Sequence, residues 1–178
     1  MFILGPDKAE SVDGEDFYGM DVFAFRGEKP QRLPGSAYWV DNDLFGDILN
    51  ATLSQLDRVG FEIVVAHGHG PSTTFVEDHR QSLTESFDVE LLTCRRSGDG
   101  PGLQVDHAAA NETSLLMVLH AEAVAMDRLP DDEWPVGVDG EDPREYASAE
   151  RGAEIVDTEL DRMATKLSDA LDEREQSL

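Results

Sequence analysis

The chain is poor in cysteine, in lysine and in long apolar runs, and each shortage narrows what it can be. A single cysteine, Cys94, among 178 residues excludes an internal disulfide and fits a reducing compartment. It lies in Val89-Glu90-Leu91-Leu92-Thr93-Cys94, where a small core residue is a simpler reading than a nucleophile. No apolar stretch approaches the roughly 20 residues that a membrane-spanning helix needs. Met1-Phe2-Ile3-Leu4 is too short for a signal peptide and lacks its basic start. A cytoplasmic protein is therefore expected. Basic residues number 14 against 38 Asp and Glu, giving a net charge of −24, and the lysines are only Lys8, Lys29 and Lys166. Such a surface repels nucleic acid and anionic membranes, and neither is an expected partner.

Apolar periodicity argues against the disorder that high charge otherwise suggests. An acidic, lysine-poor surface around an ordinary core suits a salt-rich cytosol, where screening removes self-repulsion. A halophilic source is the expectation, and an acidic interaction protein is the other reading. The length suits one domain with a sizeable core, 1–178.

The fold class expected is α/β, a single three-layer αβα domain with a mostly parallel sheet. Residues 1–32 read as irregular, with turn signals at Gly5-Pro6 and Asp13-Gly14 and a short strand at Met20–Phe25. Asp41 or Asn42 caps a helix running to Val59, with Leu44, Phe45, Ile48, Leu49, Leu53, Leu56 and Val59 as its stripe and Gly60 as its stop. A strand over 61–66 follows, then a helix from Ser72 to Ser86 and a strand from Phe87 to Thr93. Asn111 is the expected cap of a helix over 112–124, residues 127–146 read as loop, and a last helix spans 147–174 with a frayed tail at 172–178. The order strand, helix, strand, helix implies parallel pairing.

The first strand ends at His67-Gly68-His69-Gly70. Ligands gather beyond the carboxyl ends of strands in open α/β sheets, and two imidazoles among glycines there suit a metal site. Histidines that only hydrogen-bond within a loop are the plainer reading. His79 reads as exposed. His120 lies two turns beyond Glu112, on its face, or is simply satisfied by packing. Trp39 and Trp134 read as loop anchors, and Asp41 and Asp43 as helix-start residues rather than metal ligands.

Three segments resemble the creatininase family of metal-dependent amidohydrolases. Gly60-Phe61, the aliphatic strand and Gly68-His69-Gly70 resemble a family loop, Asn-Gly-His-Gly-Gly-Asn. His107-Ala108-Ala109-Ala110-Asn111-Glu112-Thr113-Ser114 is similar to His-Ala-Gly-Glu-x-Glu-Thr-Ser. Gly137-Val138-Asp139-Gly140-Glu141-Asp142-Pro143, with Ala147, Glu150 and Gly152, is similar to the Gly-x-x-Gly-Asp-Pro loop and the helix after it. Leu33-Pro34-Gly35-Ser36 stands where many members have Pro-Gly-Thr.

The resemblance implies hydrolysis of a non-peptide C–N bond in a cyclic or formyl amide of a small molecule. It implies one or two divalent ions (zinc, manganese or iron) and a homo-oligomer. Residue by residue it makes His69 and Glu112 metal ligands. His107 becomes a catalytic histidine that orients substrate or moves a proton, with Glu112 beside it in the catalytic set. The family's early Glu-x-His has no counterpart in residues 1–66, since the first histidine is His67. Three readings answer that gap: a start upstream of Met1, a degenerate homologue acting as a binding or assembly subunit, or recruitment of His67 as a further ligand.

The charge reading predicts that salt stabilises the fold. Raising KCl from about 0.1 M, where the screening length is about 10 Å, to about 1 M, where it is about 3 Å, should raise Tm. A thermal scan that stays flat or falls with salt contradicts it.

Overall fold

The computed structural model describes residues 9–21, 30–32, 40–68, 70–95, 102 and 105–177. The segments 22–29 and 33–39, with the last four residues of the expected Met20–Phe25 strand, the Leu33-Pro34-Gly35-Ser36 segment and Trp39, lie outside them, as does His69. The chain forms two compact units, one of residues 1–7, 37–95 and 162–178, the other of residues 8–36 and 96–161.

The first unit holds α1 (Asn42–Arg58), β3 (Ile63–Ala66), α2 (Gly70–Ser86) and β4 (Glu90–Thr93). Asp41 begins α1 as expected, its Oδ1 accepting the Leu44 N–H at 2.8 Å. The helix ends in a Schellman motif: Phe61 N–H donates to Leu56 O and Gly60 N–H to Asp57 O, at 3.0 and 2.9 Å. Gly60 sits at φ +87 there, a conformation that favours glycine. β3 and β4 pair in parallel from Ile63↔Glu90 to Ala66↔Thr93, as the strand–helix–strand order requires.

Leu53, Val76, Leu83, Val89 and Leu91 form the core of this unit, with Leu49, Val64, Ala66 and Phe87 packed against it. Successive side chains of β4 point to opposite faces, yet Leu91 is 0% and Leu92 6% exposed. Both faces of β4 are therefore covered, as an αβα layering demands. α2 begins at Gly70, two residues before the expected Ser72. The hydroxyls of Thr73 and Thr74 both donate to Gly70 O, at 2.9 Å, within this first turn.

The second unit contains a hairpin in the region expected to be irregular. β1 (Ala9–Val12) pairs antiparallel with β2 (Glu15–Tyr18). Asp13 and Gly14 turn the chain with φ of 55 and 84, the doubly left-handed geometry of a type I′ turn. Met20 belongs to a 3-10 turn, Gly19–Asp21, instead of a strand. α3 (Ala110–Leu119) starts two residues earlier and stops sooner than the expected 112–124, because His120 leaves the helical region at φ −150. The expected loop 127–146 holds α4 (Pro143–Tyr146), started by Asp142 with proline in its first turn.

α5 (Ala149–Ser177) supplies Ala149–Asp161 to the second unit and its remainder to the first. Its tail is helical to Ser177 where fraying was expected. Arg174 explains this: Nη1 donates to Asp88 Oδ1 and Nη2 to Asp88 O, each at 2.8 Å. Earlier in the helix, Arg162 donates to Cys94 O and Lys166 Nζ to Thr93 O at 3.2 Å, just where β4 ends. Among the described residues no helix is long and apolar enough to cross a membrane.

Leu53, 1% exposed, should be a stability determinant. Leu53→Ala is expected to cost about 2–5 kcal/mol in chemical denaturation. Leu44→Ala, at a residue 48% exposed on the same helix, should change stability by no more than about 0.5 kcal/mol.

Candidate active site

Two of the three motif segments meet in the second unit and are sewn together through their backbones. His107 and Asp139 form an antiparallel bridge, N–H to O at 2.8 and 2.9 Å. Ala110 N–H donates to Glu141 O at 3.1 Å. The imidazole of His107 is fixed in turn, with Nδ1 2.9 Å from Gly137 O. A carbonyl only accepts, so Nδ1 carries the hydrogen and Nε2 is the ring nitrogen left to meet another group. Trp134, read as a loop anchor, is one: its indole N–H donates to Val138 O at 2.9 Å.

Glycine is required where the segments touch. Gly140 has φ +145, and a Cβ there would lie 2.7 Å from Cβ of both Asp106 and Ala109. A Cβ on Gly152 would fall 2.0 Å from the carbonyl oxygen of Ser114, so α5 crosses α3 with no side chain between them. Ser114, 0% exposed, donates its hydroxyl to Ala110 O and accepts the Ser148 N–H at 3.0 Å.

Asn111 was the expected cap of α3, and here the structure corrects the sequence reading. The capping carboxylate is Asp106, whose Oδ2 accepts Asn111 N–H at 2.7 Å and whose Oδ1 accepts Glu112 N–H at 3.2 Å. Burial pushes this carboxyl above its ordinary range, while the two amide N–H groups pull it down. Asn111, 4% exposed, uses Oδ1 instead to accept Nε and Nη2 of Arg151 at 3.0 and 2.7 Å. Arg151 Nη2 also donates to Glu141 Oε2 at 2.7 Å.

Glu112 is exposed in the first turn of α3 and folds back, Oε2 accepting the Ala108 N–H at 2.7 Å. Ala108 sits at φ 49, the left-handed region that a non-glycine residue seldom enters. The carboxylate offsets that strain and is oriented by it.

His107 and Glu112 thus belong to one assembly, one residue on either side of the strained Ala108–Asn111 turn. His67 is exposed at the carboxyl end of β3, in the other unit, the place expected for a strand-end ligand. Among the described residues, which exclude His69, no three His, Cys, Asp or Glu side chains gather to hold a metal ion. His79 is exposed as expected and stacks on Phe75 at 4.0 Å. His120 is exposed beyond the end of α3, 3.4 Å from Glu122, and does not share a helix face with Glu112. Asp106 and Arg151 are the positions that sequence reasoning missed. Asp106 precedes the helix by more than a standard cap does, and Arg151 acts on a residue 40 positions away.

The creatininase family profile (creatinine amidohydrolase) matches residues 18–167. The chain belongs to the creatininase family. Solved structures agree on the fold. One, a crystal structure of creatinine amidohydrolase (creatininase), aligns with TM-score 0.62 and 16% identity over 93% of this chain and 72% of that one. A glutamate-to-glutamine mutant of creatininase complexed with creatine aligns at 0.60, with 18% identity over 77% and 68%. The same kind of mutant in a Zn-Zn form aligns at 0.60, with 17% identity over 79% and 68%. No curated protein matches. The fold is the α/β creatininase fold, and family and fold together support an amidohydrolase-type function.

Gly152→Ala should lower stability by about 1–3 kcal/mol or more through forced separation of α5 from α3. Thermal unfolding of that variant beside Gly70→Ala, where a Cβ meets nothing within 4 Å, measures the difference.

Proposed function

We propose that this protein is a metal-dependent amidohydrolase that opens a non-peptide C–N bond in a small cyclic or formyl amide. The observation that carries the reading is the single tautomer of His107, with Nδ1–H held on Gly137 O and a base at Nε2, in one assembly with the carboxylate of Glu112. A histidine fixed by its Nδ1–H presents Nε2 for proton transfer, and a carboxylate with imidazoles makes a donor set suited to zinc, manganese or iron. The chemistry of these residues fits the ion that the Zn-Zn creatininase relative names.

A bound divalent cation supplies polarisation of the substrate carbonyl and a more acidic water. On the family motif, His69 and Glu112 hold it, with His67 as a further ligand in place of the absent Glu-x-His. Nε2 of His107 takes the proton from the attacking water and returns it to the leaving nitrogen. The bond at Nδ1 fixes the orientation of the ring, so Nε2 is the nitrogen that faces the reacting groups. The Glu112–Ala108 bond holds one carboxylate oxygen in place and leaves Oε1 as the group to face cation or substrate. The family resemblance adds a homo-oligomer to this reading, and the single cysteine adds a reducing, cytoplasmic setting.

Purified protein from metal-replete cells should carry near-stoichiometric zinc, manganese or iron by elemental analysis. His69→Ala and Glu112→Gln should release most of it, and His107→Gln should retain it while losing turnover of a panel of creatinine and formylated amines. Metal-free wild-type protein would leave the degenerate homologue, a binding or assembly subunit, as the surviving account.

A further inference from the structure

We propose that Arg151 is a positioning residue for this site, an inference that rests on the amidohydrolase reading. Its planar guanidinium reaches two partners on two different segments, Asn111 Oδ1 and Glu141 Oε2. Asn111 immediately precedes Glu112 in the first turn of α3 and is 4% exposed. Glu141 follows Gly140, and its own carbonyl accepts the Ala110 N–H at 3.1 Å. One cation therefore ties the turn that presents Glu112 to the loop whose Gly137 carbonyl fixes His107.

The placement of Arg151 is itself built. Ser148 starts α5, its Oγ accepting the Arg151 N–H at 3.1 Å. Gly152 then lets the helix lie against the Ser114 carbonyl, which brings position 151 within reach of Asn111. A guanidinium donates through a fixed fork, whereas a lysine ammonium is a single compact donor and cannot reproduce both bonds at these angles. Without Arg151, the buried Asn111 amide oxygen loses the two donors it has, and the first turn of α3 loses its side-chain tie to α5 while keeping its backbone bonds to Asp106 and Glu141. Arg151 acts on the site through Asn111 and Glu141.

The test titrates Co²⁺ alone into metal-stripped full-length protein, following both affinity and the visible ligand-field absorption. Arg151→Met should weaken Co²⁺ binding by about 10–100-fold, the range usual for partners that orient metal ligands, and should change the shape of the absorption. Arg151→Lys should recover part of that loss. Glu141→Ala, at an exposed side chain, removes one of the two anchors and should weaken binding by less than Arg151→Met does, since Asn111 keeps both its donors. Arg80→Met, which loses only a surface pair with Glu90, should leave affinity and absorption unchanged. Wild-type affinity and absorption in Arg151→Met overturn the positioning role alone. Failure of the wild type to take up Co²⁺ overturns the amidohydrolase reading and this role with it. If Arg151→Met does not fold, Glu141→Ala decides: binding indistinguishable from wild type overturns the proposal.

Discussion

The paired backbone hydrogen bonds between His107 and Asp139, 2.8 and 2.9 Å long, are the joint on which the second unit depends. They place two segments side by side that are some thirty positions apart, and the rest follows from that proximity. Gly137 O comes under the imidazole, Glu141 O meets the first amide of α3, and Gly140 must lack a side chain because Asp106 and Ala109 occupy its space. Asp106 and Glu112 then satisfy the amides that the helix start and the left-handed Ala108 would otherwise leave open. A helix terminus whose free donors are met by carboxylates from both sides is a stiff platform.

Charge enters the architecture asymmetrically. Carboxylates outnumber cations 38 to 14, and several of the described cations bind backbone carbonyl oxygens. Arg144 donates to Glu133 O at 3.0 Å, Lys166 to Thr93 O at 3.2 Å, Arg174 to Asp88 O at 2.8 Å, and Arg162 to Cys94 O. Each ties backbone of a loop or of the end of a strand to a side chain from elsewhere in the chain. These bonds draw on a fixed dipole more than on a second charge. They also hold specific backbone atoms, which an exposed ion pair does not do.

How far the sequence spoke depended on whether the deciding interaction was local. α1 was legible at both ends because the Asp41 cap and the Gly60 stop lie beside the helix they bound. The hairpin was not. Asp13-Gly14 announced a turn, but Glu10, Ser11, Glu15 and Asp16 carry no alternation of apolar and polar residues to mark strands. Asn111 looked like a cap by type and position, yet its side chain answers to Arg151, forty residues on, and the capping falls to Asp106. The family pattern singled out His107 and Glu112 as candidates, while the hydrogen on His107 Nδ1 could come only from the position of Gly137 O. His69 remains an assignment by pattern.

The crossing of α5 over α3 at Gly152 and Ser114 brackets everything between them. Residues 120–136 leave one fixed post and their successors return to another. Trp134 and Arg144 fasten the returning end to neighbouring backbone. The intervening stretch can therefore lengthen, shorten or change character over evolutionary time without disturbing the orientation of the histidine and glutamate beside it. A scaffold of that kind separates what the connecting stretch can become from the posture of the residues at its two ends.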